Sequence, residues 1–332
     1  MKTAVLLMNL GGPRNLEEVE PYLYELFADV LPAGLGPLRK PLAWLIANRR
    51  APSSAEKYEL IGGRSPLVER TEEQARALGA ALGPAFTTHL AMRCGHPNTA
   101  EGVREAIAAG ADRAVALPLY PQWANATTRS SLQELRRLWP KGKPLVEVCT
   151  WHDHPGWLDA LAATVRESIA RVPPDLRERL LVVFSAHGLP LNEVRKGDPY
   201  PGYVEASSRG AAERCGLEAA QWQVTYQSRV GPMKWLGPDT VEFLKANARG
   251  RTIVTVPVAF VSEHLETLYD LDILAKEAAE KGGAAFYARA PAVAVRPEFI
   301  AALADIVRTA IVMQPDGGTR RHEAAHSATP AH

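Results

Sequence analysis

The sequence predicts an α/β protein of two similar domains, each built on a mostly parallel sheet, with a cleft between them. Three observations carry this reading. The chain has 332 residues, more than one hydrophobic core usually organises. Short strand-forming runs alternate with longer helical stretches, the rhythm of β-α-β units. The alternation then starts afresh, which puts the boundary near Cys149–Pro155 and the domains at 1–150 and 151–313.

In the first half, Thr3–Leu10 is an unbroken apolar run and reads as a fully buried strand. It superficially resembles a signal peptide. Asn9 ends the run, however, and Gly11-Gly12-Pro13 and acidic residues follow with no small-residue cleavage site. Leu16–Leu31 has helical spacing, and Thr71–Leu82, rich in Ala, Glu and Gln, reads as another helix. Thr88–Arg93, Arg113–Leu117 and Leu145–Val148 read as strands, separated by helices at Thr99–Ala109 and Ser130–Leu138. Leu31–Ile46 stands apart: it is apolar, carries three prolines and two central basic residues, and is too broken for a regular core helix. It reads either as an exposed hydrophobic lip, extending to about residue 50, or as an irregular buried connection.

In the second half, helices are predicted at Leu158–Arg171, Tyr203–Arg214 and Asp239–Asn247, and a long one from about Glu263 to Lys281. Strands are predicted at Leu180–Ser185, Trp222–Gln227, Thr252–Val258 and Ala284–Ala288, with a closing helix at 297–312. Residues 314–332 hold Gly-Gly, Arg-Arg, three His and small polar residues, the composition of a disordered tail.

Composition narrows the function classes. Hydrophobic residues make up 46% and charged residues 23%, as in a folded cytoplasmic protein, and the net charge of +1 gives no field suited to nucleic acid. The three cysteines, Cys94, Cys149 and Cys215, are too far apart for a zinc knuckle or disulfide framework and read as free thiols. No stretch is long enough to span a membrane.

Two strand ends carry the chemistry. The apolar run LLVVFSA ends in His187-Gly188-Leu189-Pro190, which places a histidine where parallel sheets bind ligands. That suits a metal ligand or a base near neutral pH; a histidine bonding the loop backbone is the plain alternative. The second run, Val258 to Asp270, passes from a strand through a loop into a helix, with Ser262 as its N-cap. Glu263, Glu266 and Asp270 fall on one face of that helix. A solvated face favoured by the helix dipole accounts for Glu263 well, but poorly for the surrounding Phe260, Val261, Leu265, Leu268 and Tyr269. Carboxylates partly buried among them need a cation or a proton. Histidine with carboxylates and no thiolate favours a divalent metal held transiently. His264 and Glu266 point apart on a regular helix, and a widened turn would bring them together. Four further runs follow strands or form Gly-rich loops, at Asn9–Pro13, Ile61–Leu67, Pro118–Trp123 and Tyr226–Pro232; none has P-loop or GxGxxG spacing.

Taken together, these runs resemble the ferrochelatases, which insert ferrous iron into protoporphyrin or coproporphyrin in heme synthesis. The matching runs are NLGGP, RRAP followed by Tyr58 and IGGRSPL, MR ending at Arg93, YPQ, FSAHGLP, YQSRVGPMKWLGP and VSEHLETLYD, in family order over nearly the whole chain before the tail. The resemblance implies two doubly wound, Rossmann-like domains around a porphyrin cleft. It implies that His187 accepts pyrrole protons or contacts the metal, and that Glu266 ligates iron or relays protons with His264 and Glu263 in support. Asp270, where the family often has Glu, would extend a path for iron or protons. Leu10, Tyr120, Trp235 and Phe260 would line the ring, and Arg50, Ser65 and Arg93 would hold its propionates. Two positions depart from the family: Cys94 stands where a Tyr often follows the Arg, and Asn125 where iron–sulfur members place a Cys. A [2Fe–2S] cluster takes four thiolates, so none is expected, and no other cofactor is implied. The lip at 31–46 followed by Arg49-Arg50 looks more like protoporphyrin-using relatives and allows loose peripheral membrane association. The rivals are a cobalt or sirohydrochlorin-type chelatase, a non-catalytic porphyrin or metal carrier, and a periplasmic binding protein.

Overall fold

The structure, a computed structural model, describes residues 1–228, 233–315 and 317. The first sheet is formed by β1 (Thr3–Asn9), β2 (Phe86–Met92), β3 (Arg113–Pro118) and β4 (Leu145–Glu147), all parallel, in the order β2-β1-β3-β4. Every residue of β1 is buried, as its unbroken apolar run requires of a strand covered on both faces. Five helices accompany this sheet: α1 (Val19–Val30), α2 (Arg39–Leu60), α3 (Leu67–Leu82), α4 (Thr99–Ala108) and α5 (Ser130–Leu138).

The second sheet repeats the plan. Strands β5 (Leu180–His187), β6 (Trp222–Gln227), β7 (Thr252–Pro257) and β8 (Phe286–Arg289) are parallel, in the order β6-β5-β7-β8. Its helices are α6 (Pro155–Ala170), α7 (Leu191–Arg195), α8 (Tyr200–Arg214), α9 (Thr240–Asn247), α10 (Leu265–Leu268), α11 (Lys276–Lys281) and α12 (Pro297–Met313). In both sheets the first strand is central, the second lies on one side and the third on the other. The chain therefore leaves β1 and β5 at topological switch points, where doubly wound sheets open a crevice beyond their strand ends. His187 ends β5, and the segment from Val258 follows β7, its neighbour across that switch point.

The closing helix α12 packs on α6 and also on α3 of the first half. Trp151, Trp157 and Phe299 form the join, with ring centroids 5.5 to 6.0 Å apart. Beyond the helix, Gln314 bonds the backbone of Glu147 in β4. One hydrophobic cluster accordingly runs through both halves. Of the tail read as disordered, 316 and 318–332 lie outside the described residues.

Two elements depart from the sequence reading. The segment read as too broken for a helix is a short 3-10 stretch, Ala33–Leu38, leading into the 22-residue helix α2. Pro37 lies in the 3-10 stretch and Pro41 in the first turn of α2, where a missing N–H costs no helical bond. Trp44 and Leu45 on this helix are 56% and 58% exposed, so the apolar lip is a helix surface. The helix expected from Glu263 to Lys281 is broken into α10, a wide π segment at Asp270–Ala275, and α11. No helix among the described residues is long and apolar enough to cross a membrane.

Candidate active site

Beyond the end of β5, His187 donates its Nδ1–H to the carbonyl of Gly188 at 2.5 Å. A carbonyl can only accept, so the neutral ring keeps its lone pair on Nε2. That Nε2 lies 3.6 Å from Oε1 of Glu266, with His187 38% and Glu266 25% exposed. A first-row divalent ion bound about 2.0–2.2 Å from each atom would hold them roughly 3 to 3.6 Å apart. Two groups 79 positions apart in sequence are thus spaced to share one cation or one proton. Among the described residues, no three His, Cys, Asp or Glu side chains gather into a metal cage.

Backbone conformation in the segment after β7 produces this meeting. Helix α10 begins at Leu265, so Ser262 is not its cap. His264 is the N-cap, with extended backbone (φ −161°, ψ −170°), and its Nδ1 accepts the N–H of Glu266 at 3.1 Å. A ring nitrogen in that role is unprotonated, in accord with burial lowering the basicity of His264. The Phe260 ring meets His264 edge-on at 4.5 Å. The cap, not a widened turn, brings His264 to Glu266; the π segment starts only at Asp270.

Glu263 therefore does not share a helical face with Glu266 and Asp270. Its Oε1 accepts from Arg289 at 2.9 Å and from the N–H of Ala292 at 2.9 Å. Burial pushes its carboxyl up, but the charge of Arg289 together with the bonds from Thr267, Ala292 and Arg289 holds it below the ordinary carboxylate range. Arg289 also binds Asp272 at 2.6 Å, so these charges brace the loop from behind instead of lining a path. No local pattern hints at this pairing, because Arg289 lies at the end of β8, 26 positions from Glu263.

Asp270 stands close enough to Glu266 to feel its charge. Its Oδ2 accepts from Ser228 at 2.5 Å. Burial, helped by the charge of Glu266, pushes its carboxyl up to about 6 from 3.8, against the opposing bond from Ser228. Between these two values the unfolded chain has released this proton while the folded chain keeps it. Asp270 therefore costs stability as pH rises through that window, and the cost persists above it. Asp270→Asn should leave the urea midpoint unchanged near pH 3.5. Above about pH 7 it should raise stability by on the order of 2 kcal/mol, less than the full shift because solvent reaches part of the carboxyl. An equal gain at both pH values would contradict this.

The remaining sequence-predicted residues divide into two groups. Trp235 stands edge-on to His187 at 6.3 Å, and Phe260 reaches the pair through His264. Leu10 follows β1 and Tyr120 follows β3, the equivalent switch point of the first sheet. The Tyr120 hydroxyl is buried beside that of Ser131. Arg93 is paired with Asp29, and Arg50 lies over the Phe27 ring at 5.6 Å. Ser65 is buried, its Oγ accepting the N–H of Leu67 at the start of α3. Arg50 and Ser65 make no bond to His187 or Glu266. The hairpin of α1 and α2 reaches the pair by another route. Leu265 packs with Tyr22, Tyr58 and Cys94, and burial together with the nearby charge of Glu266 raises the hydroxyl pKa of Tyr58. No local sequence signal gives Tyr22 or Tyr58 this role, because the contact with Leu265 joins residues more than 200 positions apart.

The sequence profile of one family, described as Ferrochelatase, matches residues 2–311. The chain belongs to the ferrochelatase family. A ferrochelatase of Synechococcus sp. is 42% identical over 324 residues, covering 93% of this chain and 83% of that one. A ferrochelatase of Caulobacter vibrioides is 42% identical over 323 residues, covering 95% and 92%. The two-sheet architecture is shared with SirB from Bacillus subtilis with Fe3+, at a TM-score of 0.57 and 12% identity over 93% of this chain and 96% of that one. At that identity the likeness is one of fold, and the cobalt or sirohydrochlorin-type reading is not favoured. As a ferrochelatase the chain is a lyase-type metal chelatase of heme synthesis, inserting iron into a porphyrin.

Proposed function

We propose that His187 and Glu266 exchange metal for protons through one lone pair. Ferrous iron, a substrate, is held between Nε2 of His187 and the carboxylate of Glu266. As iron passes to the porphyrin, Nε2 is freed and takes one pyrrole proton, and Glu266 takes the other. Two N–H bonds break, two protons sit on the protein, and the metal is left in the ring. The imidazolium forms first and is stabilised by the Glu266 carboxylate until that group takes the second proton; Asp270, its carboxyl pushed up to about 6, then relays protons outward. The 3.6 Å separation of Nε2 and Oε1 carries this reading. His264, held neutral, fixes the Glu266 backbone, while Leu10, Tyr120, Trp235 and Phe260 line the ring. Arg93 and Arg50 are the propionate ligands, exchanging Asp29 and Phe27 for the substrate. Ser65 would have to give up its bond to Leu67 to join them.

We infer that the ring is protoporphyrin IX in preference to coproporphyrin III, because the lip at 31–46 presents the exposed apolar side chains Leu38, Trp44 and Leu45. Anaerobic turnover of ferrous iron with each porphyrin tests this. Protoporphyrin should give the higher kcat/KM, and a higher value with coproporphyrin would overturn the assignment. The same surface, Leu38, Trp44 and Leu45, docks this cytoplasmic enzyme on a membrane face, which suits a poorly soluble product. Replacing Trp44 and Leu45 by serine should abolish sedimentation with lipid vesicles while leaving turnover in detergent intact; unchanged sedimentation would exclude this surface. No resident cofactor is required, since three cysteines fall short of the four thiolates of a [2Fe–2S] cluster.

A further inference from the structure

Buried glutamine carboxamides from three separate elements converge on the segment that carries Glu266. Gln122, just beyond β3, donates to the carbonyl of Val258 at 3.1 Å. Gln74 on α3 donates to the carbonyls of Val261 at 3.1 Å and Ala294 at 3.0 Å, and accepts from Ser262 at 3.1 Å. Gln227, the last residue of β6, donates to the carbonyl of Glu266 itself at 2.8 Å. All three are at most 4% exposed. A buried carboxamide retained in a core with its bonds made is a rigid strut, because breaking any bond strands a polar atom away from water.

Gln227 differs from the other two, because it touches both partners of the reactive pair. Its own carbonyl accepts the N–H of Gly188, the residue after His187, at 2.8 Å. Its Oε1 accepts from Ser185 at 2.7 Å, two residues before His187 on β5. That hydroxyl lies 2.9 Å from Thr240, which in turn lies 2.8 Å from the hydroxyl of Thr225. With Oε1 committed to Ser185, the amide can face only one way, and Nε2 must point at Glu266. One side chain thus ties the strand end that carries the imidazole to the backbone that carries the carboxylate.

We propose that Gln227, backed by Gln74 and Gln122, is a positioning residue that sets the separation of His187 and Glu266 for iron insertion. This rests on the proposed roles of that pair. Positioning should appear in kcat and not in porphyrin KM, because the three carboxamides are buried and spend their bonds on protein groups.

The test compares Gln227→Met and Gln74→Met, similar in length but without the amide, with wild type and Ser208→Ala, which loses a buried hydrogen bond within α8. Urea midpoints, kcat and porphyrin KM are measured for each under anaerobic conditions with ferrous iron. Gln227→Met should lose about 10- to 100-fold in kcat and Gln74→Met several-fold, as misplacement of reacting groups by a fraction of an ångström does. Porphyrin KM should stay within about twofold, and Ser208→Ala should keep its kcat. If Gln227→Met does not fold, Gln74→Met decides alone. Unchanged kcat, or a loss confined to KM, would overturn the positioning role. Glu266→Gln in the same series separates the two ideas. If it turns over like wild type, the reading of the pair fails; if it is impaired while both glutamine variants are not, only the positioning role fails.

Discussion

Iron insertion by a His187→Ala variant is expected to fall by roughly 10²- to 10⁴-fold in kcat, the range a positioned proton acceptor contributes. The reason lies in the tautomer. With Nδ1–H committed to Gly188, Nε2 is the basic atom of the ring, and it faces Glu266. Alanine removes that lone pair and puts no other base in its place. Because the imidazole is more than a third exposed, the substitution should leave the urea midpoint within about 1 kcal/mol of wild type. Porphyrin affinity should persist, since the ring is held by its aromatic and apolar lining. Turnover within threefold of wild type would remove His187 from the chemistry. Loss of porphyrin binding with turnover per bound ring unchanged would make it a binding residue.

A Glu266→Gln variant should lose about 10²-fold or more in kcat, and it should bind ferrous iron more weakly in the absence of porphyrin. Glutamine keeps the side-chain shape, the backbone bond from Gln227 and the cap contact with His264, so what it removes is charge. That charge has two tasks, attracting the divalent ion and stabilising the imidazolium of His187. Removing it also relieves Asp270, whose carboxyl is pushed up in part by Glu266. The pH at which Asp270 titrates should therefore fall in the variant. Unaltered iron affinity together with wild-type turnover would exclude Glu266 as a ligand.

Much of this architecture was legible because the deciding signals are local. Strands β1 and β5 are unbroken apolar runs, each ended by residues that stop a strand, and His187 could be placed on the β5 end from that alone. The restart of the β-α rhythm anticipated two similar, mostly parallel sheets. In α2, Pro41 falls in the first turn, where it breaks no helical bond, and Pro52 is carried inside the helix, so prolines alone do not mark its end. Glu263 falls outside the acidic row because it lies two residues before α10 begins, where helical periodicity does not yet apply. No spacing rule would find Arg289 as the partner that takes Glu263 away from the site. Gln74 did leave a trace: it sits among Thr71, Ala75 and Leu78 on the buried face of α3, and a polar residue at such a position must find partners.

The most direct measurement is a double-mutant cycle on single-turnover iron insertion, with His187→Ala, Glu266→Gln and the two combined. Groups that act on one metal-for-proton exchange fail as a unit, so the combined variant should be no more than about threefold slower than the slower single variant. If the two losses multiply, the imidazole and the carboxylate act on separate events, and their 3.6 Å approach is not the seat of the reaction.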